Sequence, residues 1–361
     1  MKILYGVQGT GNGHISRARK MAAHLRARGA DVTYLISGRE RDRLFDMEAF
    51  GDFEHRTGLT MVQENGAVLL GPTLLRSHPL QFIRDVRRLD VAPYDLVISD
   101  FEPVTAWAAK LSNKTCMGIG HQYAFSNTIP RRGDNIASGI VMKYFAPVDI
   151  PIGLHWHHFD TDILPPIIDT QLRQTRERDP HILVYLPFED QNSVSKLLQR
   201  FDDLRFVQYS PDLSDSECGN VSLRHTNLHG FRDDLCRAEA VICNAGFELV
   251  SECLHIGIPA LVKPVKGQME QLSNAHALQQ LGWGSATDAI DFDTLKKWLY
   301  GERRIVPVQY PDVAAALADW VLAGDWGDKY VLCDTLWNYT RSSGIANNFI
   351  PPFEKGGLGG I

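Results

Sequence analysis

No apolar run in this chain comes near the ~18 residues that a membrane-spanning helix needs. The first residues, MKILYGV, form a short strand-like run without the long apolar core of a signal peptide, so a cytoplasmic protein is expected. Cysteine is sparse: six in 361 residues, with no C-x-x-C pair, which supports neither a disulfide framework nor a zinc knuckle. Cys236, Cys243 and Cys253 sit in apolar runs and read as small buried hydrophobes. A basic excess is missing too. The formal net charge of −6 argues against nucleic acid as a partner. What is present, 44% hydrophobic and 22% charged residues, is globular composition, and the length suits two domains of roughly 150 residues each.

Apolar runs and helical periodicity alternate along the first half. Residues 2–7 form a continuous apolar run, and Ile15, Ala18, Met21, Ala22 and Leu25 follow at helical spacing before Gly29. Strands are expected over 31–37, 95–99 and 115–119, with helices near 81–89 and 104–111. Strands apolar along their length and separated by helices make a parallel sheet covered on both faces. Between 149 and 180 the rhythm breaks in a stretch rich in proline, histidine and aspartate. It restarts with strands expected over 181–187, 205–209, 240–243 and 258–263. The fold class is α/β, with two doubly wound Rossmann-like domains over 1–150 and 181–327 joined by a connection over 151–180. Ligands of such sheets bind beyond the carboxyl ends of the strands.

The loop after the first strand reads GVQGTGNGH from Gly6 to His14. A glycine-rich strand-to-helix turn offers backbone N–H groups and a positive helix end to an anion. A dinucleotide fingerprint fails here, because His14 stands where the third glycine belongs and Ser37 ends the second strand in place of an acid. The Gly-Lys-Ser/Thr of a P-loop is absent. A second anion site is expected downstream, where an apolar strand ends at Asn244-Ala245-Gly246 and a helix follows at once. Glu252 lies one and a half turns into that helix, and a polar loop after the next strand carries Gln268, Glu270 and Gln271.

These stretches resemble the GT-B glycosyltransferases, above all those that add N-acetylglucosamine from UDP to the lipid precursor of peptidoglycan. Gly9-Thr10-Gly11-Asn12-Gly13-His14 matches their N-terminal GGTGGH loop. Gly246, Glu252, Gly257-Ile258-Pro259, Pro264, Gln271 and Asn274-Ala275 match their C-terminal pattern in order. Ser99-Asp100-Phe101-Glu102-Pro103 matches a bacterial and archaeal branch of the same superfamily. The resemblance implies a GT-B fold whose last segment, 328–361, returns to the first domain, with a flexible tail at Gly356–Ile361. It also departs from the pattern: Asn244 replaces an arginine, and the usual threonine falls beside Glu248 and Leu249.

By resemblance, Gly11, Asn12, Gly13, Gly246 and Phe247 approach the donor, Glu248 lines the phosphate stretch, and Glu252 accepts both ribose hydroxyls. Gln268, Glu270 and Gln271 hold the donor sugar, and Gly230 and Phe231 line the base pocket, unless Phe231 is core. His14 is the expected catalytic base, with a brace for the loop as the alternative. Asp100 and Glu102 either assist His14 and bind the acceptor or cap the following helix; His121 and Gln122 share their rim on the acceptor side. Asp160-Thr161-Asp162 mimics a metal-binding DxD but lies in the connection, and the spacing of His155, His157 and His158 fits no common metal site. No metal or other cofactor is expected. Arg17, Arg19, Lys20, Arg26 and Arg28 give the first helix a basic face, either solvated or drawn to anionic lipid at the inner membrane face. The expected activity is transfer of a sugar from a nucleoside diphosphate sugar, foremost a UDP-sugar, to an acceptor hydroxyl. A lipid-linked sugar, a cell-envelope polysaccharide precursor and a small metabolite all remain open as acceptor. The rival readings are a nucleotide-sugar epimerase or hydrolase of the same fold and a non-catalytic sugar-nucleotide sensor.

Overall fold

The computed structural model describes residues 1–59, 78–175 and 180–342, together with an antiparallel backbone pair at 63–64 and 67–68. The tail expected at 356–361 lies outside the described residues. In the first half, β1 (Lys2–Gln8), β2 (Asp31–Ser37), β3 (Glu54–Arg56), β4 (Leu96–Asp100), β5 (Cys116–Gly120) and β6 (Ile150–Gly153) form one sheet. Its order is β3-β2-β1-β4-β5-β6 and every pair is parallel. β1, β4 and β5 are buried almost throughout, as strands covered on both faces must be. The segment expected to connect the halves therefore begins by completing the first sheet, with Ile150–Gly153 pairing along β5.

The second half repeats the plan. Here β7 (Ile182–Tyr185), β8 (Phe206–Ser210), β9 (Ser216–Cys218), β10 (Val221–His225), β11 (Ala240–Asn244), β12 (Ala260–Lys263) and β13 (Ser285–Ala286) run in the order β9-β10-β8-β7-β11-β12-β13. Only β9, at the edge, is antiparallel among these pairs. β9 and β10 escape the sequence reading, because β10 is only partly buried and carries polar residues on both faces.

Among the described residues, four helices accompany the first sheet: α1 (Asn12–Ala27), α2 (Pro79–Arg88), α3 (Pro103–Leu111) and α4 (Ile136–Tyr144). α5 (Gln191–Leu198), α6 (Leu228–Arg237), α7 (Phe247–Ile256), α8 (Met269–Gln280) and α9 (Phe292–Leu299) accompany the second, and α10 (Val313–Ala323) and α11 (Tyr330–Tyr339) close the described chain. One core cluster runs through both halves, from Met21 and Ile36 by way of Trp156 to Phe247, Leu317 and Trp337. Trp156 is fully buried and donates through Nε1 to Ser251 Oγ on α7 at 2.8 Å. α10 lies against α1, where Arg28 forks onto Asp319. α11 is tied to the first half and the connection: Lys329 donates to the Pro151 carbonyl and Trp337 Nε1 to the Ile163 carbonyl.

Candidate active site

β1 and β4 are neighbours, with Val7 opposite Asp100 at their carboxyl ends. The chain leaves β1 through the glycine loop and enters α1 at Asn12, which puts His14 in the first turn above that rim. Only two residues separate β4 from α3, so the backbone turns sharply between them. Phe101 takes a left-handed φ of 51° to make this turn, a strain of the sort that collects at functional sites.

His14 Nδ1 lies 2.7 Å from Asp100 Oδ1. Arg17, one turn further along α1, donates from Nε to Asp100 Oδ2 at 2.8 Å and from Nη2 to Oδ1 at 2.5 Å. Both partners are essentially inaccessible, with side-chain exposures of 2% for Arg17 and 0% for Asp100. Burial raises the Asp100 carboxyl, but Arg17 and then His14 outweigh it and hold it below the usual carboxylate range. Arg17 Nη2 also lies 3.1 Å from His14 Nδ1, but its shorter contact is the one it donates to Asp100. An ionised carboxylate can only accept, so the 2.7 Å contact puts the proton on His14 Nδ1 and leaves Nε2 with its lone pair. Among the described residues Nε2 has no hydrogen-bond partner. His14 itself is slightly open, at 13% side-chain exposure. This is a histidine oriented to accept a proton.

The same guanidinium reaches the other half, where Arg17 Nη1 is hydrogen-bonded to Glu248 Oε1 in the first turn of α7. Glycine is required at position 13 because a Cβ there would lie 2.8 Å from Glu248 Cγ. Burial pushes the Glu248 carboxyl up to about 8 against the pull of Arg17, with Asp100 and Glu252 adding to the rise. Arg17 brings one positive charge and Asp100 already neutralises it, so the second buried carboxyl is the one that keeps its proton.

Elsewhere the halves meet through Asn12, whose Nδ2 donates to the Tyr185 hydroxyl at 3.0 Å while Arg39 Nη1 donates to its Oδ1. At α7 the N-terminal glycine, Gly246, turns its own N–H back onto the Asn244 carbonyl at 2.8 Å. It is therefore not free for an anion, contrary to the sequence expectation. The cap has no side-chain hydrogen bond, so N–H groups from Phe247 onward remain for a ligand. Asn244 is buried and donates to the Lys263 carbonyl. Glu252 is only partly buried, and among the described residues it accepts no hydrogen bond. Burial lifts it to about 7, with Arg232 and Lys20 opposing and Asp169 adding. Nearby, a cleft of about 410 Å³ is lined by Gln171, Arg173, His229, Arg232 and Asp233 among others.

Gly230 donates its N–H to the Asn227 cap of α6, and Phe231 packs between Tyr185 and Tyr209 at ring distances of 5.3 and 5.1 Å. Gln268 caps α8, Glu270 lies in its first turn, and Gln271 is buried with Oε1 accepting from the Val265 N–H at 3.0 Å. Glu270 meets Gln122 across the halves, at 3.0 Å. His121 is fully enclosed: Nδ1 faces the Leu154 carbonyl, Nε2 faces Asn274 Oδ1, and the ring stacks on Phe247 at 4.0 Å. It joins the halves and touches no open space.

The profile of glycosyl transferase family 1 matches residues 1–302. This chain is a member of glycosyl transferase family 1. An uncharacterized glycosyltransferase of Methanosarcina acetivorans is 22% identical over 327 residues, which is 79% of this chain and 83% of that protein. Among solved structures, the glycosyltransferase SnogD from Streptomyces nogalater aligns with a TM-score of 0.50 at 14% identity, covering 91% of this chain and 95% of its own. SsfS6 of Streptomyces sp. SF2575, complexed with thymidine diphosphate, gives 0.51 at 14% identity over 79% and 87%. The shared architecture is GT-B, with two Rossmann-like sheets.

One expectation for this glycosyltransferase needs correction. Glu102 touches no substrate: it is fully buried and caps α3, accepting from the Val104 and Thr105 N–H groups, from Ser37 Oγ and from Thr105 Oγ1. The basic residues expected on one face of the first helix all have partners within the chain. Arg17 holds Asp100, Arg19 donates to the carbonyls of Phe45 and Asp46, Lys20 pairs with Asp169, Arg26 donates to the Ala49 carbonyl, and Arg28 pairs with Asp319. The signal for Arg17 was its i, i+3 spacing from His14, which puts both on one helix face. In the connection, His155 and Trp156 pack against Phe247. Among the described residues no group of three His, Cys, Asp or Glu side chains is placed to hold a metal ion, and no helix is long and apolar enough to cross a membrane.

The two raised carboxyls make stability pH-dependent. An acid whose pKa is higher folded than unfolded binds more protons in the folded state, so its contribution is full below the unfolded value and is lost as pH climbs through the folded one. For Glu248 that window runs from about 4.5 to about 8, and for Glu252 from about 4.5 to about 7. Below about 6.5 the buried His121, His155, His157 and His255, whose pKa values burial lowers, act in the opposite sense. Above that value the thermal midpoint of the unliganded enzyme should fall with rising pH, and Glu248→Gln should flatten the fall visibly. A parental slope in that variant would show that Glu248 does not hold its proton.

Proposed function

We propose that this glycosyltransferase moves a sugar from a nucleoside diphosphate sugar, foremost a UDP-sugar, to an acceptor hydroxyl without a divalent cation. The observation that carries the reading is His14, its Nδ1 fixed by an ionised carboxylate and its Nε2 unpaired, at the junction of the two halves. The acceptor oxygen attacks the anomeric carbon, the bond from that carbon to the diphosphate oxygen breaks, and His14 Nε2 takes the acceptor proton. The departing diphosphate gathers its charge at the N-terminus of α7, where the helix dipole and free N–H groups favour an anion. The bound thymidine diphosphate of SsfS6 supports a nucleoside diphosphate as the group recognised. The nucleoside is assigned to the cleft beside α6, and Glu252, which interacts with Arg232 of its lining and accepts no hydrogen bond of its own, suits the paired hydroxyls of a ribose.

Two variants separate the parts of the donor in a calorimeter. Glu252→Gln should weaken the bare nucleoside diphosphate roughly ten- to a hundredfold, the cost of a charge-assisted hydrogen bond. Glu270→Gln should weaken the sugar nucleotide while leaving the bare diphosphate nearly unchanged. Parent-like binding of UDP, GDP and TDP by Glu252→Gln would remove the ribose assignment. Transfer should also persist in EDTA, and strict dependence on a divalent cation would contradict the role given to α7.

A further inference from the structure

Gln122 belongs to the first half, in the helical turn His121–Ser126 after β5, yet its amide N–H donates to Glu270 of the second half at 3.0 Å. The side chain is 7% exposed, and its Oε1 is buried with no hydrogen-bond donor among the described residues. Native structures rarely leave a buried amide carbonyl unpaired, and those that do call for a missing donor. Position 120 shows where this oxygen lies. A Cβ built on Gly120 would sit 3.2 Å from Arg17 Nη2, 3.3 Å from Gln122 Oε1 and 3.5 Å from Asp100 Oδ1. The glycine keeps open a space shared by the orphan carbonyl and the ion pair that orients His14. Close by, Gln268 Oε1 at the cap of α8 is also buried without a donor. The groups left over around Glu270 therefore include its carboxylate and two buried amide oxygens. These acceptors complement the hydroxyls of a polyhydroxylated ring.

We propose that Gln122 determines specificity for the transferred sugar. Its Oε1 accepts from one ring hydroxyl, and its N–H sets Glu270 to accept from another, so the sugar is read by both halves at once. The enzyme then selects a hydroxylated hexose over the deoxy analogue that lacks the hydroxyl facing Gln122. This rests on the reading that a sugar nucleotide occupies the site.

The test is calorimetry on the full chain with UDP-, GDP-, TDP- and ADP-glucose. The series bound most tightly is then repeated as the bare diphosphate and as glucose deoxygenated at each ring position in turn. Gln122→Met should leave the bare diphosphate unchanged, weaken the sugar nucleotide about tenfold, and no longer discriminate against one deoxy analogue that the parent rejects. Gln122→Leu serves the same comparison if the methionine variant does not fold. Parent-like discrimination in the variant, or equal weakening of diphosphate and sugar nucleotide, overturns the role of Gln122 alone. Failure of the parent to bind any of the four sugar nucleotides overturns the donor reading and this proposal together.

Discussion

Replacing His14 with glutamine should lower kcat by roughly 10²- to 10⁴-fold, the usual contribution of a positioned general base, and leave the Kd of the donor within about twofold. Glutamine is a demanding substitute. Its amide N–H can still donate to Asp100 and brace the glycine loop, so a histidine whose work was only structural would be replaced with little loss. What glutamine cannot do is take the acceptor's proton. A variant that retains most of its turnover would assign His14 to the loop and leave the acceptor proton without a base.

Asp100→Asn should cost both stability and rate. The parent carboxylate collects two N–H donors from Arg17 and one from His14 in a site closed to water. Removing one partner of a buried pair leaves the other charge uncompensated, at a cost of about 3–5 kcal/mol, or a fall in thermal midpoint of about 4–7 °C for a chain of this size. Glu248 moderates that loss. Asp100 is one of the groups holding its pKa up, so with the charge gone Glu248 ionises more readily and takes over part of the pairing with Arg17. The remaining deficit should shrink as pH rises, opposite in sign to the trend in the parent. Turnover falls because an asparagine no longer compels the proton onto Nδ1. The double variant Arg17→Leu/Asp100→Leu, which removes both charges, should recover much of the stability and none of the rate. If Asp100→Asn unfolds within about 1 kcal/mol of the parent, the pair is not the buried, ionised one described here.

The halves of the fold and the rim of the site were legible because their signals are local. A continuous apolar run reads as a strand covered on both faces, and β2 matches its expectation residue for residue at Asp31–Ser37. The rule that ligands gather at the carboxyl ends of parallel strands placed the glycine loop and Asp100 on one rim, and the β1–β4 register confirms their adjacency. Glu102 was readable as a cap from its position before Pro103, and the structure decides for that alternative. Partners separated by a hundred residues or more left no periodic trace. Tyr185 holding Asn12, Glu248 reaching Arg17 and Gln122 reaching Glu270 all depend on how two sheets face each other. Arg17 illustrates the loss most plainly: among the basic residues of the first helix it read as solvated or drawn to lipid, whereas it is buried and paired with Asp100 beside His14.

The tautomer of His14 decides the central claim and needs neither donor nor acceptor. Long-range nitrogen–proton correlation on the protein labelled with ¹⁵N-histidine resolves both ring nitrogens, and loss of one signal set in His14→Gln assigns His14 among the 13 histidines. At a pH where the ring is neutral, Nδ1 should show the shift of a protonated nitrogen and Nε2 that of a free lone pair, and Asp100→Asn should blur that preference. A proton found on Nε2 in the parent would mean that the unpaired nitrogen cannot accept, and transfer with His14 as base would be excluded.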